Sequence, residues 1–136
     1  MKRVKVSRKA HFNAAHRLYR KDWSDSENEA HFGKCSNPHF HVQNYEHIMS
    51  IKGTIDPNTG YVMDMKILKD HIKSEVEDAF DHKNLNLEVP EFADLIPTAE
   101  NIAVVIHQKL KKILTSDQNL EVVLYETPRN FVTYSE

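Results

Sequence analysis

A chain of 136 residues, 40% of them hydrophobic, holds apolar material for one core and not two, so a single domain over 1–136 is expected. Lys and Arg number 18 against 20 Asp and Glu, and no block of like charges appears, which disfavours a nucleic-acid partner. No apolar run nears the roughly 18 residues of a membrane span, and the lone Cys35 cannot close an internal disulfide. No signal peptide opens the chain, and the expectation is a cytoplasmic protein without a membrane partner.

From Arg3 to Leu18 the residues Val4, Val6, Ala10, Phe12 and Ala14 recur mostly with period two, which predicts a long strand. Residues 19–38 are polar and punctuated by Gly33 and Pro38, and read as a long functional loop. A second long strand is predicted from Phe40 to Ile55, ended by the turn Asp56-Pro57-Asn58-Thr59-Gly60. Met65, Leu68, Ile72, Val76 and Ala79 form an amphipathic helical stripe. After a loop over Asp81–Pro97, Thr98 is placed to cap a second helix, with its stripe at Ile102, Val105, Ile106, Leu110 and Ile113. Short strands at Leu120–Tyr125 and Phe131–Tyr134 flank the turn Thr127-Pro128-Arg129-Asn130. The order is ββααββ: an α+β chain with a four-stranded antiparallel sheet and both helices on one face. Such a sheet leaves two open edges and one bare face, so association through its edges is expected.

Chemistry-bearing residues gather at the strand ends. His16 ends the first strand; His39 and His41 open the second at i, i+2 spacing, which puts two imidazoles on one strand face, as in a zinc site. Cys35, just before them, reads either as a small buried hydrophobe or as a thiolate base. Asp81-His82 is an ordinary loop dipeptide or a proton relay. Glu126 is a strand-end charge or a carboxylate gripping an amidine-like edge.

Taken together, Phe12–Leu18, Phe32-Gly33-Lys34-Cys35, Asn44-Tyr45, Gly53–Gly60, Asp81–Leu85, Phe92-Ala93-Asp94, Thr98–Asn101 and Tyr125–Pro128 resemble the 6-pyruvoyltetrahydropterin synthase family and its relative, the queuosine-pathway 6-carboxytetrahydropterin synthase. The resemblance implies a tunnelling fold: trimers whose sheets join into a twelve-stranded barrel, stacked as hexamers, with sites at subunit interfaces. It implies a lyase acting on a pterin, 7,8-dihydroneopterin triphosphate, with triphosphate elimination. By the same resemblance His16 and His41 look like zinc ligands, Cys35 like the base, and Asp81 with His82 like a second proton-transfer group. Glu126 looks like the pterin anchor, and Thr98, Ala99 and Glu100 match the segment that helps hold the ring, with Ala99 atypical there.

The largest departure falls on the metal. With Asn44-Tyr45 setting the register, Gln43 stands where the family has its third zinc histidine, and Val42 stands in place of a glycine. An amide oxygen is a poorer zinc ligand than imidazole, so zinc is expected to bind weakly unless His39 substitutes. In a second register Cys35 is followed after three residues by His39-Phe40-His41, the carboxy-type spacing. A catalytically inactive pterin-binding oligomeric scaffold is the reading from outside the enzymes. His47 and Met49, on the same strand face as Gln43, read as a relocated ligand site or as substitutions lining an oligomer surface.

Overall fold

The two alternating segments form β1 (Arg3–His16) and β2 (His41–Thr54) in the computed structural model, which describes residues 2–136. They pair antiparallel along their whole length, from Arg3 opposite Thr54 to His16 opposite His41. Period two then sorts the side chains. Phe12, Ala14 and His16 are buried on one face with Tyr45, His47, Met49 and Ile51. Lys5, Lys9, His11, Asn44 and Glu46 lie exposed on the other. A two-residue strand, β3 (Lys83–Asn84), lies parallel to β1, while β4 (Asn119–Tyr125) and β5 (Phe131–Ser135) extend the sheet antiparallel beyond β2. The order is β3-β1-β2-β4-β5: the four expected antiparallel strands and one short addition.

Residues 19–38 are not an unstructured loop. They hold helix α1 (Asp25–Phe32) and a 3-10 turn, Gly33–Ser36. Ser24 caps α1 by accepting the Glu27 N–H, the opening half of a Ser-x-x-Glu capping signature. No apolar stripe accompanies it, which is why periodicity misses this helix. Its anchor is Asn28, buried, whose Oδ1 accepts the Arg20 N–H at 2.8 Å and whose Nδ2 donates to the carbonyls of Arg20 and Ser24. Replacing Asn28 by Ala is expected to cost about 1–3 kcal/mol, read from the urea midpoint, because it removes the partner of the Arg20 N–H and of the Arg20 and Ser24 carbonyls at a part-buried site. A cost under about 0.5 kcal/mol would show that water replaces the amide there.

Helix α2 starts at Met65–Ile72, capped by Asp64, and continues through one π-helical turn, Lys73–Glu77, to Asp78–Phe80. The wider turn takes up an extra residue, so the buried stripe runs Leu68, Ile72, Val76, Phe80 and not to Ala79. A single turn, α3 (Leu85–Glu88), precedes α4 (Ala99–Leu110), which Thr98 caps by accepting the Asn101 N–H at 3.2 Å. Phe12, Phe80, Leu85, Ile102 and Ile106, with Val122 and Leu124 of β4, share one apolar core between helices and sheet. His47 and Met49 are fully buried on its sheet side, and not on an outer surface. Among the described residues, no helix is long and apolar enough to cross a membrane.

Candidate active site

β1 ends where β2 begins, so pairing of the two strands sets His16 directly opposite His41 on the buried face. Their Nε2 atoms stand 2.8 Å apart, the rings nearly perpendicular at 89°. His16 Nδ1 lies 2.9 Å from the Pro97 carbonyl, which can only accept, so Nδ1 carries the proton and Nε2 presents a lone pair. His41 then donates from Nε2 in the absence of a cation. Burial pushes the His16 pKa down, opposed by the Pro97 contact and lowered further by His41; the Glu126 charge raises it slightly. A neutral imidazole with its far nitrogen tied to a carbonyl is the form that ligates metals.

Around this pair sit Tyr45, Cys35, Gln43 and Glu126. The Tyr45 hydroxyl lies 3.0 Å from His16 Nδ1, and burial, then Glu126 and Cys35, push its pKa up. Cys35, half-buried on the 3-10 turn, is held by its own carbonyl, which accepts the Leu18 N–H at 2.8 Å. Burial raises its thiol pKa, and the Glu126 charge adds to the rise. A thiolate there therefore needs a cation close by. Gln43 Nε2 donates to Glu126 Oε1 across 3.4 Å, and both residues line a cavity of about 340 Å³ with Asn44, Tyr125, Thr127 and Pro128. That volume lies within the range of small-molecule sites. A larger cavity, about 570 Å³, opens elsewhere beside Arg17, Lys21, Phe40 and Phe92.

Asp81 and His82 are parted from Glu126 by the order of the sheet. They immediately precede β3, at the sheet edge beyond β1, whereas Glu126 follows β4 on the far side of β2. They are nonetheless firmly held. Asp81 Oδ1 accepts the Asn13 N–H at 2.9 Å, and the His82 N–H donates to the Asn13 carbonyl at 2.6 Å. The Asn13 N–H, then the contact with His82, keeps the Asp81 carboxyl below its usual range. His82 Nδ1 stands 3.0 Å from Asp81 Oδ1, and its side chain is 78% exposed, so the pair faces outward from the edge.

His39 does not join His16 and His41. β2 opens at His41 and not at Phe40, because Phe40 takes a left-handed conformation, φ 64°, which breaks the strand alternation; His39 lies exposed beyond that bend. Among the described residues no three His, Cys, Asp or Glu side chains form a metal-binding group. In the Thr98–Glu100 segment the Thr98 hydroxyl is spent on its cap, Ala99 is buried and Glu100 is exposed. The atom of that region that reaches the site is the Pro97 carbonyl, unmarked by any motif; Tyr45, seen in the sequence only as a register mark, proves to be its neighbour on His16.

The residues present nevertheless fit a divalent metal. The His16 tautomer is set for ligation, and a side-chain oxygen, Gln43 Oε1, is buried on the same face with no partner among the described residues. Two nitrogens bound tetrahedrally to one zinc ion stand about 3.3 Å apart, so the pair needs to open by only about half an ångström.

A family model described as 6-pyruvoyl tetrahydropterin synthase matches residues 5–136. Relatives named 6-pyruvoyl tetrahydrobiopterin synthase from Pongo abelii and Homo sapiens are 47% and 45% identical over 131 residues, 96% of this chain and 90% of each relative. The solved structure of Caenorhabditis elegans 6-pyruvoyl tetrahydropterin synthase matches with a TM-score of 0.92 at 38% identity, covering 100% of this chain and 97% of that one. Fold, sequence relatives and family model agree along nearly the whole length, and this chain belongs to the 6-pyruvoyl tetrahydropterin synthase family.

Proposed function

We propose that the chain is a pterin lyase that eliminates triphosphate from 7,8-dihydroneopterin triphosphate while rearranging its side chain. The observation that carries this reading is the convergence of the His16–His41 pair, Cys35 and Glu126 at the joined ends of β1, β2 and β4. Glu126 grips the ring edge, accepting two N–H donors on one carboxylate. His16 and His41 hold a divalent metal, zinc in this reading, which when bound polarises the side-chain oxygens and makes the adjacent C–H acidic. As a thiolate, Cys35 Sγ accepts that proton, the C–H electron pair becomes a C=C bond, and the C–O bond to triphosphate breaks, its electron pair leaving with the triphosphate. The Pro97 carbonyl and the capped start of α4 keep His16 in register.

Asp81 and His82 enter from a neighbouring chain. Their outward pose at a sheet edge, held by two bonds to Asn13, supports a shared site in the trimeric twelve-stranded barrel and its hexameric stack. Mixed assemblies test this directly. Cys35→Ala and His82→Ala chains, each inactive alone, are expected to recover about a quarter of normal turnover per site after co-refolding, because random pairing brings the two intact residues together that often. No recovery would place all three groups in one chain.

The activity itself is tested by metal analysis of the purified protein beside an assay of triphosphate release. Pyruvoyl-tetrahydropterin as product supports the proposal; carboxy-tetrahydropterin with acetaldehyde assigns the chain to the other branch. The left-handed Phe40 favours the first, because it removes His39 from the site and with it the three-residue spacing. Pterin binding through Glu126 without turnover in excess zinc would make the protein a non-catalytic scaffold.

A further inference from the structure

The amide of Gln43 joins two groups that act separately in the reading above. Its Nε2 faces Glu126 Oε1 at 3.4 Å, and its Oε1 is buried without a partner among the described residues. The two ends of an amide have nearly the same shape, but here their orientation is set by chemistry. A carboxylate only accepts, so the NH2 end must face Glu126 and the carbonyl oxygen must face away. Along the buried face of β2 the next side chain toward the strand start is His41, and His16 stands opposite His41.

A buried acceptor with no donor calls for a missing partner. Neither histidine supplies one. The His16 proton is held by Pro97, and the His41 proton points to His16. A cation held by the two Nε2 atoms would give the amide oxygen the partner that neither histidine supplies.

We infer that Gln43 is a bridging residue, its Oε1 completing the metal site of His16 and His41 while its Nε2 braces the pterin-anchoring Glu126. The inference rests on the metal reading proposed above. It has two consequences. An amide oxygen is a harder and weaker donor than the equally neutral imidazole, so it weakens the preference for zinc over harder divalent ions. Coordination through the oxygen also draws electron density from the amide nitrogen, strengthening the N–H donor on Glu126. Metal and pterin binding are then coupled, and by linkage each tightens the other by the same factor.

The test titrates metal-free full-length protein with Co²⁺ and Zn²⁺, following the cobalt absorption bands, and with 6-methylpterin, which lacks side-chain oxygens that could reach the metal. Gln43→Ala is expected to weaken metal binding by about tenfold or more, and Gln43→His to strengthen zinc binding by about 10²-fold. Gln43→Glu separates the two roles: metal affinity rises with the added charge, while pterin affinity falls as two carboxylates face each other. The wild type is expected to bind 6-methylpterin several-fold more tightly with metal than without, and the Ala variant is not. Unchanged cobalt spectra in Gln43→Ala, with binding abolished by His41→Ala, would overturn the bridge and leave the two-histidine site standing. An absence of metal binding in every variant, Gln43→His included, would overturn the metal reading itself.

Discussion

Cys35→Ala is expected to lower turnover by about 10²–10⁴-fold while leaving pterin affinity within a few-fold of normal. The fold should tolerate the change, because Cys35 is tied in through its backbone carbonyl and not through its sulfur. Glu126→Gln supplies the opposite pattern. Replacing the carboxylate proposed to grip the ring is expected to weaken pterin binding by about 10²-fold, roughly the worth of one or two charge-assisted hydrogen bonds. The same substitution acts on the thiol. Glu126 helps hold the Cys35 pKa up, so its removal should move the pH midpoint of Cys35 alkylation to lower values. Loss of pterin binding in Cys35→Ala, or an unmoved alkylation midpoint in Glu126→Gln, would separate these residues into unrelated environments.

The second large effect is on stability. His47 is fully buried beside the Phe12 ring, and neither ring nitrogen has a partner among the described residues. Burial, with a smaller contribution from His11, pushes its pKa down from 6.5 to about 4. The sign follows from linkage. Between pH 6.5 and 4 the unfolded chain binds a proton that the folded chain refuses, so stability is complete above pH 6.5 and declines as pH falls through this window. Over the whole window the loss amounts to about 3 kcal/mol. His47→Leu should abolish this part of the acid decline in urea midpoints measured between pH 7.5 and 4. It should also add about 1–3 kcal/mol at pH 7.5, since two unpaired polar atoms leave the core. Parallel acid profiles in wild type and variant would show that the ring finds partners that the static structure lacks.

How much of this was legible beforehand depends on the kind of signal. Long strands betray themselves by period two, and α4 by its stripe and the cap at Thr98, because burial on one face imposes those spacings. Helix α1 lacked a stripe because it is polar nearly throughout, although its Ser-x-x-Glu opening was present to be read. The extra residue in the π-helical turn could not be anticipated from an apolar pattern that fits either Ala79 or Phe80.

Read by itself, the chain determined which residue types are available for chemistry, their order along the strands, and the family that shares them. Only the tertiary structure decided which of them meet. The full-length pairing of β1 with β2 brings His16 to His41 across 25 positions, the left-handed Phe40 turns His39 away, and the sheet order parts Asp81 and His82 from Glu126. Strand periodicity is a local property, set by side chains two residues apart. Which strand lies beside which, and which partner a buried amide keeps, are set by contacts between residues far apart in the chain, where sequence spacing carries no distance information.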